Sequence, residues 1–211
     1  MERKGLLIVV SGFAGSGKGT LMKRLTGDYD NYSLSVSMTT RKPRPGEVDG
    51  REYFFVTKEE FERKIEDGGL IEYAAYVENY YGTPREYVEE QIAEGKDVVL
   101  EIETQGALKV KERFPDSILI FVLPPSVEEL YKRLKNRGTE TEDMIRKRMS
   151  RAAKEADTIE KYDYIVINDK VDECVKKLHG FIEAAHYTPD RNEEFIRSIK
   201  DDLEQLWKGE N

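Results

Sequence analysis

Residues 6–20 read Leu6-Leu7-Ile8-Val9-Val10-Ser11-Gly12-Phe13-Ala14-Gly15-Ser16-Gly17-Lys18-Gly19-Thr20, an aliphatic run that leads into a glycine-rich turn. The aliphatic run predicts a buried strand, and the spacing Gly-x-x-x-x-Gly-Lys predicts a phosphate-binding loop between that strand and a helix. In such a loop, backbone N–H groups and the positive end of the helix converge on phosphate oxygens, and Lys18 adds a full charge. Side chains at the glycines would block this approach. We therefore predict a nucleotide phosphate site at residues 12–20.

The end of this loop departs from the usual pattern. The lysine is normally followed by a serine or threonine whose hydroxyl binds Mg²⁺. Here Gly19 follows Lys18, and the hydroxyl comes one position later, at Thr20. The Gly-Lys-Gly-Thr ending resembles that of adenylate kinases, which also use Mg-nucleotides. A nucleotide site is still expected, whereas the protein ligands of its metal are left open.

Composition and charge limit the class of protein. The chain has 211 residues, 38% hydrophobic and 36% charged, with a formal net charge of −8, which fits one soluble domain with small insertions. This charge does not favour general binding to nucleic acid or to anionic membranes, and no apolar run reaches the roughly 18–20 residues of a membrane span. The single cysteine, Cys174, excludes an internal disulfide and a cysteine-rich metal site. We expect a cytoplasmic protein.

Strand and helix patterns alternate along the chain. After residues 6–10, four apolar runs predict buried strands: Ser33–Ser37, Asp97–Ile102, Ser117–Leu123 and Tyr164–Ile167. Apolar residues at spacings of three and four predict helices at Leu21–Leu25, Glu86–Ala93, Val127–Leu134 and Val171–Ala185. The alternation predicts an α/β fold in which helices cover both faces of a parallel sheet. Ligands of such sheets bind beyond the carboxyl ends of the strands, where the phosphate loop also falls.

Two segments interrupt the alternation. Residues 36–84 predict an inserted mixed α/β lobe, and the charge-dense residues 132–151 predict a short helical lid. The lobe has strand patterns at Glu52–Val56 and Leu70–Tyr73, with a short helix around Phe61 and Ile65 between them. The core domain then comprises residues 1–35, 85–131 and 152–187.

Residues 188–211 form a predicted helical extension. Its apolar residues fall on one stripe: Phe195, Ile196, Ile199, Leu203, Leu206 and Trp207. The stripe fits packing against its own domain, and it also fits a contact with a second subunit in a homo-oligomer.

Two arginines flank a proline after the strand pattern at residues 33–37. Pro43 and Pro45 keep this segment extended, so Arg41 and Arg44 can surround one anion. The planar fork of each guanidinium suits phosphate geometry.

The order and spacing of these and other segments resemble guanylate kinases. The resemblance covers about residues 5–187 and rests on Val36-Ser37 through Pro45-Gly46-Glu47, Tyr53-Phe54-Phe55, Ile71-Glu72, Asn79-Tyr80-Tyr81-Gly82-Thr83, Gln105-Gly106, Pro124-Pro125-Ser126, Arg137-Gly138 and Val166-Ile167-Asn168-Asp169. It implies Mg²⁺-dependent transfer of the ATP γ-phosphoryl group to GMP or dGMP, in purine nucleotide metabolism. It also implies that residues 36–84 bind GMP and that residues 132–151 close as a lid.

The chemistry of guanine fits two residues of the lobe. A carboxylate at Glu72 can accept from both N1 and N2 of guanine, while the hydroxyl of Ser37 donates to O6. Adenine lacks those donors and would leave a buried carboxylate unpaired, which is costly. The full set of expected GMP contacts is Ser37, Arg41, Arg44, Tyr53, Glu72, Tyr81, Gly82, Thr83 and Glu101.

Basic residues provide the expected phosphoryl-transfer chemistry, because the transition state spreads negative charge over oxygens. The resemblance implies Lys18, Arg41, Arg133, Arg137 and Arg148 as catalytic residues. The expected ATP contacts are Gly12, Phe13, Ala14, Gly15, Ser16, Gly17, Lys18, Gly19, Thr20 and Asn168. Thr20 and Glu103 are the expected Mg²⁺ ligands. Asn168 fits a helix cap equally well.

Two other functions compete with this hypothesis. Guanylate-kinase-like domains of scaffold proteins bind phosphorylated partners, but they generally lose the loop lysine and glycines, which are present here. A kinase for another small phosphorylated acceptor is disfavoured by Glu72 and Ser37. The expected partners are ATP and GMP, with no nucleic acid polymer and no membrane. His179 and His186 are expected to be surface or packing residues.

Overall fold

A computed structural model describes residues 4–76, 78–136 and 141–209, and the side chains of these residues except 76, 208 and 209. In chain order the strands are β1 (Leu7–Gly12), β2 (Tyr32–Leu34), β3 (Met38–Thr39), β4 (Phe54–Phe55), β5 (Leu70–Tyr76), β6 (Asn79–Pro84), β7 (Asp97–Glu101), β8 (Ile118–Leu123) and β9 (Tyr164–Ile167). The helices are α1 (Lys18–Asp28), α2 (Lys58–Glu66), α3 (Arg85–Ala93), α4 (Thr104–Arg113), α5 (Val127–Asn136), α6 (Glu142–Ala156), α7 (Val171–His186) and α8 (Glu193–Gly209). Short 3₁₀ turns lie at Ile159–Lys161 and Pro189–Asn192.

Five parallel strands form the core sheet in the order β2-β7-β1-β8-β9. Side chains of the central strand β1 alternate between the two faces. Ile8 and Val10 pack with residues of α1 and α7, whereas Leu7 and Val9 pack with residues of α3 and α4. The predicted α/β fold with helices on both faces is therefore confirmed.

Residues 38–84 contain a second sheet, with the order β4-β3-β6-β5. β3 runs parallel to β4 and antiparallel to β6, and β5 is antiparallel to β6. Phe61 of α2 is fully buried against Met38 and Leu70. A capping box between Thr57 and Glu60 fixes the start of α2, because each side chain satisfies a backbone N–H of the first turn.

Three elements differ from the sequence predictions. The strand predicted at Ser33–Ser37 ends at Leu34, and the chain then crosses to the second sheet at Met38. Helix α4 was not predicted, although its buried Thr104, Ala107 and Val110 recur every three residues. The predicted lid covers the end of α5 and most of α6, and its residues 137–140 lie outside the described part of the chain.

Helix α8 leaves most of its apolar stripe uncovered. Phe195, Leu203, Leu206 and Trp207 are 51–73% exposed, and Ile199 is 44% exposed. Packing against its own domain is therefore the wrong interpretation for these side chains. Over the described residues, no helix has both the length and the apolarity needed to cross a bilayer.

Candidate active site

The phosphate-binding loop connects β1 directly to α1, as the sequence predicts. A Cβ atom on Gly12 would lie 2.3 Å from the carbonyl oxygen of Val122, and one on Gly17 would lie 2.3 Å from Nδ2 of Asn168. Gly17 also has a φ of +92°, which side chains rarely adopt. The sequence interpretation attributed these glycines to close approach by phosphate. In the structure, close contacts within the protein itself also require glycine at these two positions.

Polar groups inside the loop are arranged for an anion. The ammonium of Lys18 folds back over the loop and donates to the carbonyl oxygens of Gly12 at 2.6 Å and Phe13 at 3.2 Å. The hydroxyl of Ser16 is buried, and among the described residues it has no hydrogen-bond partner. A buried donor without a partner is costly, so a phosphate oxygen at this position would satisfy it.

Two side chains hold the loop from outside. Asn168 donates from Nδ2 to the carbonyl oxygen of Ser16 at 2.8 Å. Arg133 donates to the same carbonyl at 3.4 Å and to the carbonyl of Asn168 at 3.0 Å. The N-cap position of α7 is Lys170, which makes no side-chain cap hydrogen bond, and the Asn168 amide is turned to Ser16, so the alternative role of Asn168 as a helix cap is wrong. The side chain of Phe13 is buried edge-on against Phe121.

The glutamates at the end of β7 and just before α4 lie in positions that differ from the expectation. Glu101 pairs in register with Val10 of β1, and its Oε2 lies 3.8 Å from the place of a Cβ on Gly19. Desolvation in this cleft raises the pKa of Glu101, and nearby Lys18 opposes the rise. Glu103 instead precedes α4, which packs against β5, and it interacts with Glu72.

These positions favour the reverse of the two expected assignments. Glu101, expected at GMP, lies near Gly19 and Lys18 of the phosphate loop. Glu103, expected at the metal, lies near enough to Glu72 to raise its pKa and forms an ion pair with Arg151 of α6. The physical reason is the end of the strand: β7 delivers Glu101 beside β1, whereas two residues later the chain has turned into α4. Thr20, the other expected metal ligand, is exposed in the first turn of α1.

A buried carboxylate lies in the lobe. Glu72 is 8% exposed, and its Oε1 accepts a hydrogen bond from the hydroxyl of Thr83 at 2.8 Å. A Cβ on Gly106 would lie 3.4 Å from the other oxygen, Oε2, so α4 contacts the carboxylate closely. Burial raises the pKa of Glu72, and Thr83 partly counters this by donating to the ionised form.

Arg41 lies among aromatic side chains of the same lobe. The guanidinium of Arg41 lies 5.3 Å from the ring centroid of Tyr53, whose ring is 5.9 Å from that of Tyr81. Glu47 pairs with this guanidinium and also accepts from the backbone N–H of Arg44. The side chain of Arg44 is exposed. The structure thus brings Arg41, Tyr53 and Tyr81 together as expected.

The remaining lobe residues have backbone roles in the second sheet. The carbonyl of Ser37 accepts from the N–H of Phe54, and Ser37 is half-buried. Gly82 faces Met38 and Tyr73 in the sheet, and a Cβ there would lie 2.8 Å from the carbonyl oxygen of Glu72. Gly82 is therefore required by the packing of β5 on β6.

Comparison with known proteins agrees with this geometry. The family model described as guanylate kinase matches residues 4–185. A guanylate kinase of Caldanaerobacter subterraneus is 50% identical over 96% of this chain and 98% of its own length, and one of Halalkalibacterium halodurans is 53% identical over 90% and 93%. The solved guanylate kinase of Anaplasma phagocytophilum is 34% identical, covers 90% of both chains and superposes with a TM-score of 0.70.

The chain belongs to the guanylate kinase family. Its members are nucleoside monophosphate kinases, so the chain is a phosphotransferase. The family resemblance found in the sequence is confirmed over nearly the whole length of the matched relatives.

Two of the three arginines expected on the lid lie among the described residues. Arg148 is half-buried on α6 and Arg133 lies on α5 against the loop. Arg137, the third expected lid arginine, lies outside the described residues.

Two residues around the site were missed by sequence reasoning. Glu47 lies within the quoted arginine segment, and its spacing of three and six residues from Arg44 and Arg41 was the available signal. Arg151 forms ion pairs with Glu103, which precedes α4, and with Glu155 in its own helix α6. No sequence pattern predicts the pair with Glu103, because the two residues are far apart along the chain.

Proposed function

We propose that this protein transfers the γ-phosphoryl group of ATP to GMP, with ATP on the phosphate-binding loop and GMP in the lobe of residues 36–84. The observation that carries the proposal is the buried carboxylate of Glu72, which faces α4 in a chain that also keeps an intact Lys18 loop. A buried carboxylate with one protein donor has capacity for the two N–H groups that guanine offers.

On the donor side, the loop from Gly12 to Thr20 binds the ATP phosphates through backbone N–H groups and through Lys18. Arg133 and Asn168 position the loop by holding the carbonyl of Ser16. The resemblance to guanylate kinases also makes Asn168 an expected contact to the adenine of ATP. This arrangement supplies fixed positive charge to the transferring phosphoryl group, which is the main requirement of such a reaction.

On the acceptor side, Glu72, Thr83 and Ser37 read the guanine base. Arg41 and Arg44, with the hydroxyls of Tyr53 and Tyr81, bind the GMP phosphate. None of these contacts requires the ribose 2′-hydroxyl, so dGMP is also an acceptor. Glu103 lies on this side of the site, near Glu72.

The residues near Gly19 fit a magnesium ion. Mg²⁺ prefers oxygen ligands and commonly binds through one carboxylate together with substrate phosphates. Glu101 provides such a carboxylate beside Lys18, and Thr20 provides a hydroxyl on the first turn of α1. When bound, the ion would neutralise charge on the transferring phosphates.

The segment of residues 132–151 acts as a lid. Arg148, together with Arg137, closes over the phosphoryl group and excludes water from it. The protein acts in the cytoplasm, as its sequence suggests.

A second copy of the chain covers the exposed stripe of α8. Four large side chains there are more than half exposed, and aromatic residues bury roughly 150–250 Å² each when covered. Sedimentation should therefore show a homo-oligomer, and Trp207→Glu should shift it toward monomer. A wild-type protein that is monomeric at tens of micromolar would refute the proposed homo-oligomer.

The function is tested by a panel of acceptors in a coupled assay of ADP release. GMP and dGMP should be active, and AMP, CMP, UMP and ribose bisphosphate should be at least about 100-fold poorer in kcat/KM, the scale set by an unpaired buried polar group. Binding of GMP without turnover would favour a scaffold module. Higher activity with another acceptor would favour a different kinase.

A further inference from the structure

Glu47 makes three contacts with the two arginines of the lobe. Its Oε1 and Oε2 accept from Nη2 and Nη1 of Arg41, both at 2.9 Å. Oε2 also accepts from the backbone N–H of Arg44 at 2.7 Å. A two-pronged guanidinium–carboxylate contact fixes orientation as well as distance, so one side chain controls the positions of both residues.

The carboxylate is held in place by its own backbone. The N–H of Glu47 donates to the carbonyl of Arg44 at 3.0 Å, which closes a tight turn over these residues. The Glu47 and Arg41 side chains are only 17% and 15% exposed. Hydrogen bonding to Arg41 is the largest cause that lowers the pKa of Glu47, so the carboxylate is ionised when the lobe is empty.

Other groups also surround the guanidinium of Arg41. Its Nη1 donates to the carbonyl of Lys42 at 2.8 Å, and its Cζ lies 5.3 Å and 5.7 Å from the ring centroids of Tyr53 and Phe55. The side chain of Arg41 also forms a hydrogen bond with Tyr81. A planar guanidinium has a second pair of donors on the edge formed by Nε and Nη2. Glu47 engages Nη1 and Nη2, so a further anion would meet Arg41 at the Nε–Nη2 edge, together with the hydroxyl of Tyr81.

We propose that Glu47 is a positioning residue for the acceptor phosphate. Glu47 binds Nη1 and Nη2 of Arg41, so that the Nε–Nη2 edge of the guanidinium faces the phosphate. It also fixes the backbone at Arg44, which sets the distance between the two arginines. The inference rests on the proposed binding of GMP to this lobe. The Glu47 carboxylate adds a negative charge near the GMP phosphate, yet it should strengthen GMP binding. Without it, the guanidinium of Arg41 would be mobile and would have to be ordered when GMP binds.

The opposite role makes the opposite prediction. If Glu47 instead occupied the place of the phosphate, GMP would have to displace it, and removing its charge would tighten GMP binding. The anchored turn argues against displacement, because the carboxylate would lose three hydrogen bonds on leaving. The sign of the change in GMP affinity therefore separates the two roles.

The test compares Glu47→Gln and Glu47→Asp with Glu52→Gln as the matched control. Glu52 lies in the same lobe and also accepts from an arginine, Arg51, and from a backbone N–H, that of Val48. Titration calorimetry measures GMP and guanosine binding, and steady-state kinetics measures KM for GMP and kcat.

For Glu47→Gln we expect KM and Kd for GMP to rise about tenfold or more, the scale of one lost charged hydrogen bond. Guanosine affinity should stay within about twofold and kcat within a few-fold. Glu47→Asp should recover part of the loss, and Glu52→Gln should match the wild type.

Three results would overturn the inference. Tighter GMP binding in Glu47→Gln would show displacement, equal losses for GMP and guanosine would show general support of the lobe, and no change would show no role. A wild type that binds GMP no more tightly than guanosine would instead refute the proposed phosphate site itself.

Discussion

Replacing Glu72 with glutamine should separate recognition of GMP from stability of the fold. Glu72 is 8% exposed and, among the described residues, accepts a hydrogen bond from Thr83. In the proposed complex the carboxylate also accepts from N1 and N2 of guanine. Glutamine keeps one acceptor and places an N–H₂ group against a donor. The expected loss of GMP binding is roughly 2–4 kcal/mol, about 30- to 1,000-fold in Kd.

The same substitution should leave the unliganded protein as stable as before or more stable. Burial raises the pKa of Glu72, which means that ionisation at neutral pH costs free energy in the folded state. Glutamine removes that cost and can still accept from Thr83. Chemical unfolding should therefore show an unchanged or higher midpoint while calorimetry shows weak GMP binding.

The control is Glu66→Gln, an exposed glutamate at the end of α2 in the same lobe, which should alter neither quantity. An unchanged kcat/KM for GMP in Glu72→Gln would mean that the base is read elsewhere. Loss of GMP binding together with a fall of several kcal/mol in unfolding free energy would mean that Glu72 supports structure.

Three further predictions concern the loop, the pH and the metal. Lys18→Met should lower kcat by about 10²–10³-fold, the scale of a lost transition-state contact, and leave GMP binding nearly intact by calorimetry; turnover within a few-fold of wild type would refute the role of the loop. Because the pKa of Glu72 is raised in the folded state, the unliganded fold gains stability as the pH falls through that pKa and loses it as the pH rises. GMP binding needs the ionised form, so its affinity should fall on acidification, and a Glu72→Gln variant with the same pH profile as the wild type would contradict this. In a double-mutant cycle on the Mg²⁺ dependence of ATP binding, Gly19→Ser and Glu101→Asp should show a coupling energy of more than about 0.5 kcal/mol. The effects of Gly19→Ser and Glu103→Asp should instead be additive. Coupling to Glu103 and not to Glu101 would mean that Glu103 is the metal ligand.

The sequence predicted the core sheet well because its strands are buried on both faces. Continuous aliphatic runs such as Leu6–Val10 can be recognised without knowing their neighbours. The end of β2 was placed too late, since Ser35–Ser37 cross between two sheets and this choice depends on long-range pairing. Helix α4 was overlooked because only Thr104, Ala107 and Val110 are buried in it.

The site was predictable where a motif fixes backbone geometry. The loop and the arginine segment lie where their spacing placed them. The order of Glu101 and Glu103 was not predictable from spacing, because it depends on where β7 stops and α4 begins. The pairing of Glu103 with Arg151 joins residues from different elements, and no local pattern encodes such a contact.

The lobe sheet is a single insertion between β2 and α3. The chain leaves the core sheet after Leu34 and returns to the core at Arg85. All four strands of the second sheet lie between these two residues. Most proposed acceptor contacts lie inside that insertion, and the phosphate loop and α5 lie outside it. Under the proposed assignment, a foreign segment spliced at Leu34 and Arg85 should change the acceptor more than it changes ATP binding.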